Sequence, residues 1–518
     1  MSFSKIYSAQ ANLTRGVIIS IETDLSKGLH AFTIVGLPDK AVEESKDRIS
    51  AAIKNTGYTS PKSKNQKVVI SLAPADLKKE GPVFDVPMAL GYLLAADEIR
   101  FDPEGRLFLG ELSLDGELRS IPGVLPLARE AKRAGFKELF IPKGNAREAA
   151  LVSGITVYGA KSLKEIISHL NKRKSKEETG PTFQLTAQEQ TAIPKPPETY
   201  DTDFADIRGQ ETAKRALEIA AAGGHNIAMY GPPGTGKTML AKAFKYLLPP
   251  LLFEEMLEVT SIHSVAGILQ DDLVIEPPFR APHHTSSYIS IVGGGSFPKP
   301  GEITLAHKGV LFMDEFPEFD RRVIDSLRQP LEERVITISR SKGTMTFPAD
   351  VILLVAMNPC PCGNFGSKEK ECSCPPHIVS HYQRKVSGPI ADRIDLWTEV
   401  SQISRRALSE KNSQGETTAS IRKRIFEARA IQADRFKSHP RKITLNNSMG
   451  PRDILEYVNM TPEAKNILNE SSERLGLSGR AHHRLMKIAR TIADLKEQPS
   501  VERESILEAL QYRPKRGN

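Results

Sequence analysis

A glycine-rich run at residues 231–238 has the residue types and spacing of a phosphate-binding loop. It reads Gly231, Pro232, Pro233, Gly234, Thr235, Gly236, Lys237 and Thr238. Glycines let main-chain N–H groups turn towards phosphate oxygens, the Lys237 ammonium can reach the β- and γ-phosphates, and the Thr238 hydroxyl can bind Mg²⁺. The apolar residues 226–230 predict a preceding strand, and residues from 239 onward predict a helix whose N-terminal end favours the same anion. The run therefore predicts a nucleoside triphosphate site.

Two further apolar runs end in polar residues that suit the same chemistry. Residues 309–315 predict a strand that ends at Asp314 and Glu315. Asp314 would hold the metal through its waters, and Glu315 would orient and activate the attacking water. Residues 351–358 predict a strand ending at Asn358, which would polarise the γ-phosphate or that water. An acidic pair can also simply start a helix, and Asn358 can be an ordinary turn residue before Pro359.

The four cysteines of the chain lie within a window of fifteen residues. Cys360 and Cys362 form one C-x-C pair, and Cys372 and Cys374 form the other. Four thiolates so close together suit a tetrahedral Zn²⁺ ion with Zn–S bonds of about 2.3 Å. Free thiols and a redox switch remain open interpretations of the loop at 359–376.

Composition indicates a folded protein of several domains. The 518 residues include 71 Lys and Arg against 63 Asp and Glu, a formal charge of +8, which permits a nucleic-acid partner without requiring one. No apolar run approaches the roughly 20 residues of a membrane-spanning helix, so no membrane partner is expected. The first residues lack a basic region followed by an apolar stretch, and the clustered cysteines suit a reducing compartment, so we expect a cytoplasmic protein.

The pattern along the chain predicts four segments. Residues 1–171 are mixed α/β, with strands expected at 68–72 and 107–110 and a helix at 125–134. Residues 172–200 are polar and proline-containing and predict a linker. Residues 201–400 alternate helix, strand, glycine-rich turn and helix, which indicates a layered α/β domain with a parallel sheet. Residues 401–518 are mainly helical.

Together these motifs identify a family resemblance that covers essentially the whole chain. The runs at 231–238, 279–284, 293–295, 300–303, 309–315 and 358–363 resemble AAA+ ATPases of the magnesium-chelatase-like group, in their competence-protein branch. The resemblance implies an α/β AAA+ P-loop ATPase core with a C-terminal helical lid and an N-terminal Lon-protease-like α/β domain. It also implies ATP and Mg²⁺ as cofactors, residues 309–315 as the Walker B strand and Asn358 as sensor 1.

The same resemblance implies roles for two arginines. Residues 387–395 resemble the segment that carries an arginine finger, which we place at Arg393, and residues 478–480 resemble the sensor 2 segment, with Arg480. A finger stabilises charge on the γ-phosphate and is worth about 10³–10⁵ in rate. Because it comes from a neighbouring subunit in AAA+ proteins, the resemblance implies a homo-oligomeric ring, with a hexamer expected. A structural ion pair for Arg393 and a solvated helix face for Arg480 remain open.

A predicted β-hairpin carries a basic tip. Lys237 and Asp314 lie 314 − 237 = 77 residues apart, a gap that resembles the helix-2 insert of chelatases and ring helicases. After it, residues 335–339 and 344–347 alternate polar and apolar side chains around Arg340 and Lys342. In a ring these two side chains would grip the phosphates of a threaded DNA strand. A solvated hairpin turn is the alternative.

The N-terminal segment resembles the catalytic domain of Lon proteases at residues 78–86 and 116–123. That domain uses a Ser–Lys dyad, in which the lysine activates the serine hydroxyl. Here Val83 stands where the serine is expected, and apolar residues occupy 124–127 where the lysine is expected. We therefore expect no peptide cleavage, and either an interaction domain or a collar that guides DNA.

The resemblance implies an ATP-driven DNA motor. Its partners would be single-stranded or branched DNA, further copies of the chain and recombination proteins. Helicase or branch-migration activity would help incoming DNA integrate by homologous recombination during natural transformation. The alternative is a chelatase-like ATPase that remodels a protein partner.

Overall fold

The computed structural model describes the chain except for residues 1, 13–14, 172–182, 194–199, 270, 272, 296–298, 341–342, 367–369, 387, 403–414 and 515–518. The chain divides into two compact units. The first contains Met1–Lys195 and Phe253–Val274, and the second contains Pro196–Leu252 and Ile275–Asn518. The segment at 253–274 lies between the phosphate loop and Asp314 in sequence but packs with the N-terminal unit.

A seven-stranded mixed sheet forms the centre of the first unit. The strands of this unit are β1 (Phe3–Asn12), β2 (Arg15–Lys27), β3 (Ala31–Val35), β4 (Gln66–Ala73), β5 (Arg106–Phe108), β6 (Glu111–Leu112), β7 (Leu118–Arg119), β8 (Glu138–Pro142) and β9 (Thr156–Ala160). The sheet order is β3-β4-β2-β1-β5-β8-β9, and β6 pairs with β7 separately. Ile6 of β1 lies opposite Ile21 of β2, and both are fully buried. The strands predicted at 68–72 and 107–110 correspond to β4 and β5.

Helices of the same unit accompany this sheet, and several of them contribute buried side chains to its core. They are Lys40–Asn55, Asp85–Ala95, Val124–Arg133, Ala146–Ala149, Leu163–Leu170 and Phe253–Ala266. Ser264, on the last of these, donates a 2.6 Å hydrogen bond to Glu148 and accepts one of 2.9 Å from the Gly123 N–H. Glu148 also accepts from the Leu125 N–H at 3.0 Å. These buried hydrogen bonds hold the 253–266 helix beside the start of the Val124–Arg133 helix.

A buried ion pair anchors the helix Asp85–Ala95. Nε and a second guanidinium nitrogen of Arg48 donate to the Asp85 carboxylate at 2.9 and 3.1 Å, and the Leu112 N–H donates to it at 3.2 Å. The Asp85 side chain is inaccessible to solvent. Burial raises the pKa of Asp85 to about 6, although the Arg48 guanidinium acts in the opposite direction.

The second unit contains a five-stranded parallel sheet. Its strands are β10 (Ile227–Tyr230), β11 (Phe279–Arg280), β14 (Val310–Met313), β17 (Ile352–Met357) and β18 (Leu396–Glu399). The order across the sheet is β11-β14-β17-β10-β18. Tyr230 pairs with Met357, and Met313 pairs with Val355. The carboxyl ends of β10, β14 and β17 therefore share one edge, which is where ligands bind in open parallel sheets.

Two short antiparallel pairs are added to this unit. β12 (Gly293–Gly294) pairs with β13 (Lys299–Pro300), and β15 (Val335–Arg340) pairs with β16 (Gly343–Pro348). The second pair is the predicted hairpin, with Arg340 opposite Gly343.

Helices of the second unit pack on its sheet and continue to the C-terminus. They are Glu211–Gly223, Lys237–Phe244, Tyr288–Val292, Glu302–Leu305, Arg321–Ser326, Arg328–Glu333, Pro376–Arg384, Gly388–Ala391, Thr418–Arg435, Pro451–Tyr457, Pro462–Arg474, Gly479–Leu495 and Arg503–Gln511. Buried side chains of the last five share one hydrophobic cluster with the sheet. In the part of the chain that is described, the structure holds no helix with the length and apolarity to cross a bilayer. The mixed α/β fold class is confirmed, and the exact domain boundaries stay predictions.

Candidate functional site

The phosphate loop connects β10 to the helix Lys237–Phe244. Gly234 and Gly236 adopt positive φ angles of 75° and 92°, and no other atom lies within 4 Å of where their side chains would begin. Glycine is needed there because other residues rarely adopt this backbone conformation. The Thr235 hydroxyl closes the turn by donating to the Pro232 carbonyl at 3.0 Å.

Lys237 lies almost fully buried inside this loop. Its Nζ donates to the carbonyl oxygens of Gly231 and Pro232 at 2.7 and 2.8 Å, and to Oδ1 of Asn358 at 3.2 Å. Burial lowers the pKa of Lys237 to about 8, while the Asp314 carboxylate acts in the opposite direction. The structure thus brings the ends of β10 and β17 together at one ammonium group.

Thr238, in the first turn of the helix Lys237–Phe244, contacts Asp314 at the end of β14. The Thr238 hydroxyl donates to Oδ2 of Asp314 at 2.8 Å, and Oδ1 of Asp314 accepts from the Glu315 N–H at 2.9 Å. Hydroxyl and carboxylate oxygens are ligands that Mg²⁺ prefers. The two side chains fit that ion, which would neutralise phosphate charge when bound with ATP.

Glu315 contacts His284, a residue to which the sequence predictions assign no role. Its backbone has a positive φ of 50°, and its carboxylate lies 3.1 Å from Nδ1 of His284. The His284 ring also lies 4.2 Å from the His283 ring, centre to centre. His284 belongs to the run at 279–284, which is one of the motifs that carry the family resemblance. The sequence therefore marks this residue, but only the folded chain shows that it contacts Glu315.

Arg393 and Arg480 meet on one acidic side chain, Glu332. A guanidinium nitrogen of Arg393 lies 2.5 Å from Glu332 Oε1, and one of Arg480 lies 3.6 Å from the same oxygen. Arg393 is mostly buried, with 13% of its side chain exposed, whereas Arg480 is 68% exposed. Both arginines lower the pKa of Glu332, Arg393 more strongly. Both arginines therefore lie beside Glu332, and their described ion pairs are with that residue.

The segment that carries Arg393 is held from the C-terminal helices. One guanidinium nitrogen of Arg484 donates to the Ile394 carbonyl at 2.7 Å, with longer bonds to the carbonyls of Ala391 and Asp392. The Asn226 amide donates to the Arg393 carbonyl at 3.0 Å. Arg484 and the end of the loop before β10 therefore position the backbone at Arg393.

The four cysteines converge on one point. The sulfurs of Cys360, Cys362 and Cys372 are separated by 3.4–3.6 Å, and all four sulfurs, including that of Cys374, lie within 4.8 Å of one another. A tetrahedral ion with Zn–S bonds of about 2.3 Å would separate its sulfurs by about 3.8 Å. The Phe365 N–H also donates to the Cys360 sulfur at 3.3 Å. This donor set fits a structural zinc ion and leaves no ligand position for catalysis.

Both proposed DNA contacts fall outside the side chains that the structure describes. Lys342 lies outside the described residues, and the Arg340 side chain is also outside them. The pairing of β15 with β16 supports the predicted hairpin, and the contact of its tip with DNA stays a prediction.

The N-terminal unit has apolar side chains at the positions of the expected dyad. Val83 lies in a short 3₁₀ helix, Pro82–Phe84, and its carbonyl accepts from the Gly110 N–H at 3.0 Å. Residues 124–127 begin the helix Val124–Arg133 and are buried. Neither position offers a nucleophile or a base.

Three family models match this chain. Residues 203–408 match "Magnesium chelatase, subunit ChlI", residues 21–145 match "Subunit ChlI of Mg-chelatase", and residues 415–513 match "Magnesium chelatase, subunit ChlI C-terminal". The chain is also 40% identical to the competence protein ComM of Haemophilus influenzae, over 99% of this chain and 98% of that one. The chain belongs to the ComM/YifB-like group of the magnesium-chelatase family.

Two other relatives differ in how much of this chelatase-family chain they cover. It is 39% identical to the uncharacterized protein YifB of Escherichia coli, over 99% of this chain and 97% of that one. It is 32% identical to Lon protease 2 of Bacillus subtilis over 144 residues, which is 26% of each chain. The AAA+ family with a Lon-like N-terminal region is thus confirmed, and the individual site residues stay predictions.

Proposed function

We propose that this chain is the subunit of an ATP-driven, ring-shaped DNA motor with helicase or branch-migration activity. The Thr238–Asp314 contact carries the ATPase part, because it joins the phosphate loop to the Walker B strand at the sheet edge. The full-length similarity to a protein named for competence supports the DNA part. The process served would be integration of incoming DNA by homologous recombination in natural transformation, together with recombination proteins in the cytoplasm.

Each group at the sheet edge has a proposed role in hydrolysis. The loop at 231–236 binds the phosphates through the main-chain N–H groups of its non-proline residues, together with the Lys237 ammonium, while Thr238 and Asp314 hold Mg²⁺. Glu315 orients and activates the attacking water. Asn358, which already contacts Lys237, polarises the γ-phosphate or that water.

Arg393 and Arg480 complete the proposed site between protomers. Arg393 would act as the finger on the ATP of a neighbouring copy, and Arg480 would act as the sensor 2 residue. Their shared contact with Glu332 supports a common location for the two guanidinium groups. A hexameric ring is the assembly that we propose.

The DNA strand would be held by charge rather than by base recognition. Arg340 and Lys342 at the tip of the β15–β16 hairpin would contact phosphates, so binding would weaken as salt is raised. The N-terminal unit would serve as a collar or interaction domain and would cleave no peptide, since Val83 offers no nucleophile.

Unwinding of a three-way DNA junction tests this function. We expect ATP-dependent strand release by the wild-type chain and none by Glu315→Gln, which keeps the shape of the side chain but not its charge. ATPase measured with and without single-stranded DNA across a salt series should show stimulation that falls as salt rises. Absence of both unwinding and DNA stimulation would reject the motor while leaving the ATPase intact.

A chelatase-like ATPase that remodels a protein is the second candidate. It is favoured by the family models, all three of which describe a magnesium-chelatase subunit. In that case ATP turnover would be insensitive to DNA and would respond to a protein partner instead.

A further inference from the structure

The cysteine loop touches the phosphate loop at a point that has no room for a side chain. Gly363 is buried, and a Cβ atom placed on it would lie 2.5 Å from Cδ and 3.0 Å from Cγ of Pro233. Atoms that are not bonded cannot approach so closely, so either the cysteine loop or the phosphate loop would have to move. The main chain of the cysteine loop therefore packs directly on the second proline of the phosphate loop.

The residues around Gly363 are fixed by the cysteines. The Gly363 N–H donates to the Cys360 carbonyl at 2.9 Å, and the Phe365 N–H donates to the Cys360 sulfur at 3.3 Å. Cys362 is the neighbour of Gly363 in sequence and lies 3.4 Å from Cys360, sulfur to sulfur. A metal ion that binds these sulfurs would therefore fix the position of Gly363.

The same short segment contacts the phosphate loop a second time. Asn358, two residues before Cys360, accepts a hydrogen bond from Lys237 at 3.2 Å. The segment 358–363 thus meets the loop at Lys237 through Asn358 and at Pro233 through Gly363. In the described part of 358–375 the chain forms neither helix nor strand. The cysteine cluster is therefore a principal tie of this loop, beside the 3.2 Å hydrogen bond that the Gln383 side chain donates to the Pro359 carbonyl.

We propose that a metal ion on the four cysteines braces the phosphate loop. Gly363 is the positioning residue: the ion fixes Gly363, and Gly363 packs against Pro233 of the phosphate loop. Loops built around a metal site lose their restraint when the metal is removed. Without the ion, the contacts at Pro233 and Lys237 are no longer held, and nucleotide affinity falls. The inference rests on the proposed nucleotide site. It assigns the metal a role in nucleotide binding, which a metal that only stabilised its own loop would not have.

Two glycines of the same loop provide a matched test. Gly363 and Gly366 have nearly equal positive φ angles, 80° and 77°, but a Cβ on Gly366 would meet no atom within 4 Å. Both alanine variants carry the same backbone strain, and only Gly363→Ala pushes on Pro233. We expect Gly363→Ala to weaken binding of a fluorescent ATP analogue about tenfold, which is about 1.4 kcal/mol, and Gly366→Ala to change it less than twofold.

A relieving substitution checks that the contact is the cause. Pro233→Ala removes the two ring carbons that the added methyl group would strike. Affinity in the double variant Gly363→Ala/Pro233→Ala should therefore return to that of Pro233→Ala alone. A double variant that binds as weakly as Gly363→Ala would overturn the contact.

Removal of the metal from the full chain provides the second arm. Nucleotide affinity should fall after chelation and recover when Zn²⁺ is added back, with circular dichroism verifying that the chain stays folded. A folded, metal-free chain that binds nucleotide as tightly as the loaded chain would overturn the brace, as would purified protein that contains no metal. If the loaded wild-type chain binds no nucleotide and Lys237→Ala changes nothing, the proposed nucleotide site itself has failed instead.

Discussion

Nδ1 of His284 and a carboxylate oxygen of Glu315 lie 3.1 Å apart, so the residue proposed to activate water is already paired. The pair links the segment after β11 to the end of β14. About half of the Glu315 side chain remains exposed, so a change of partner does not require the core to open. Because a carboxylate held by histidine is less free to orient water, the contact restrains Glu315.

Loss of this restraint should raise basal turnover. A polar contact at this exposure is worth no more than about 1 kcal/mol, so we expect His284→Ala to increase kcat without DNA by up to about fivefold, with KM unchanged. His283→Ala is the control, because His283 bonds to Thr285 instead. Steady-state ATPase measures both variants, and a lower kcat in His284→Ala would mean that the histidine assists Glu315.

Arg393 should act on the ATP of another copy. We expect Arg393→Ala to keep nucleotide affinity but to lower ATP turnover by about 10³ or more. Lys237→Ala, which lacks the ammonium at the phosphates, should be inactive for a different reason. Because each variant retains what the other lacks, a mixture of the two should recover measurable ATPase. Purely additive, near-zero activity in the mixture would argue against action between copies.

Glu332→Gln separates this role from a structural ion pair. If Arg393 served only to neutralise Glu332, removal of the Glu332 charge would cost as much activity as removal of Arg393. We expect Glu332→Gln to retain activity within about fivefold, the effect of losing a partly exposed pair. Equal losses in the two variants would favour the structural interpretation.

The sequence predicts those parts of the site that follow from short runs of residues. The phosphate loop, Asp314 and Asn358 each follow an apolar run, and parallel strands align their carboxyl ends, so their meeting was predictable. The contact between Glu332 and Arg393 was not predictable from the sequence. Glu332 lies in the helix Arg328–Glu333 with no motif around it and reaches Arg393 only through tertiary packing. The affiliation of 253–266 with the N-terminal unit was missed for the same reason, since it depends on buried contacts such as Ser264 with Glu148.

The cysteine cluster should hold one zinc ion per chain. Since four thiolates bind the ion, Cys372→Ser should remove one ligand and lower the zinc content of purified protein by more than half. Ser373→Ala, which alters the residue between Cys372 and Cys374, should leave it unchanged. Elemental analysis measures both, and a wild-type chain free of zinc would contradict the prediction.

The stability of the helix Asp85–Ala95 should fall as the pH rises. Burial raises the pKa of Asp85 from an ordinary value near 3.8 to about 6, so the folded chain binds this proton more tightly than the unfolded chain. The stabilisation is therefore complete below pH 4 and is lost as the pH rises through 6.

Asp85→Asn cannot ionise, so it isolates this effect. Between pH 5 and 7.5, the free energy of local unfolding should fall by about 1.5 kcal/mol more in the wild type than in the variant. Hydrogen exchange of the 85–95 peptide measures this difference, and comparison at equal pH cancels the intrinsic exchange rate. Asp47→Asn is the control, because Lys62 lowers the pKa of Asp47, so that this carboxylate is ionised across the whole range and adds no pH dependence there. A difference between wild type and Asp85→Asn that stays constant across this range would mean that Asp85 remains ionised throughout, with Arg48 fully compensating its burial.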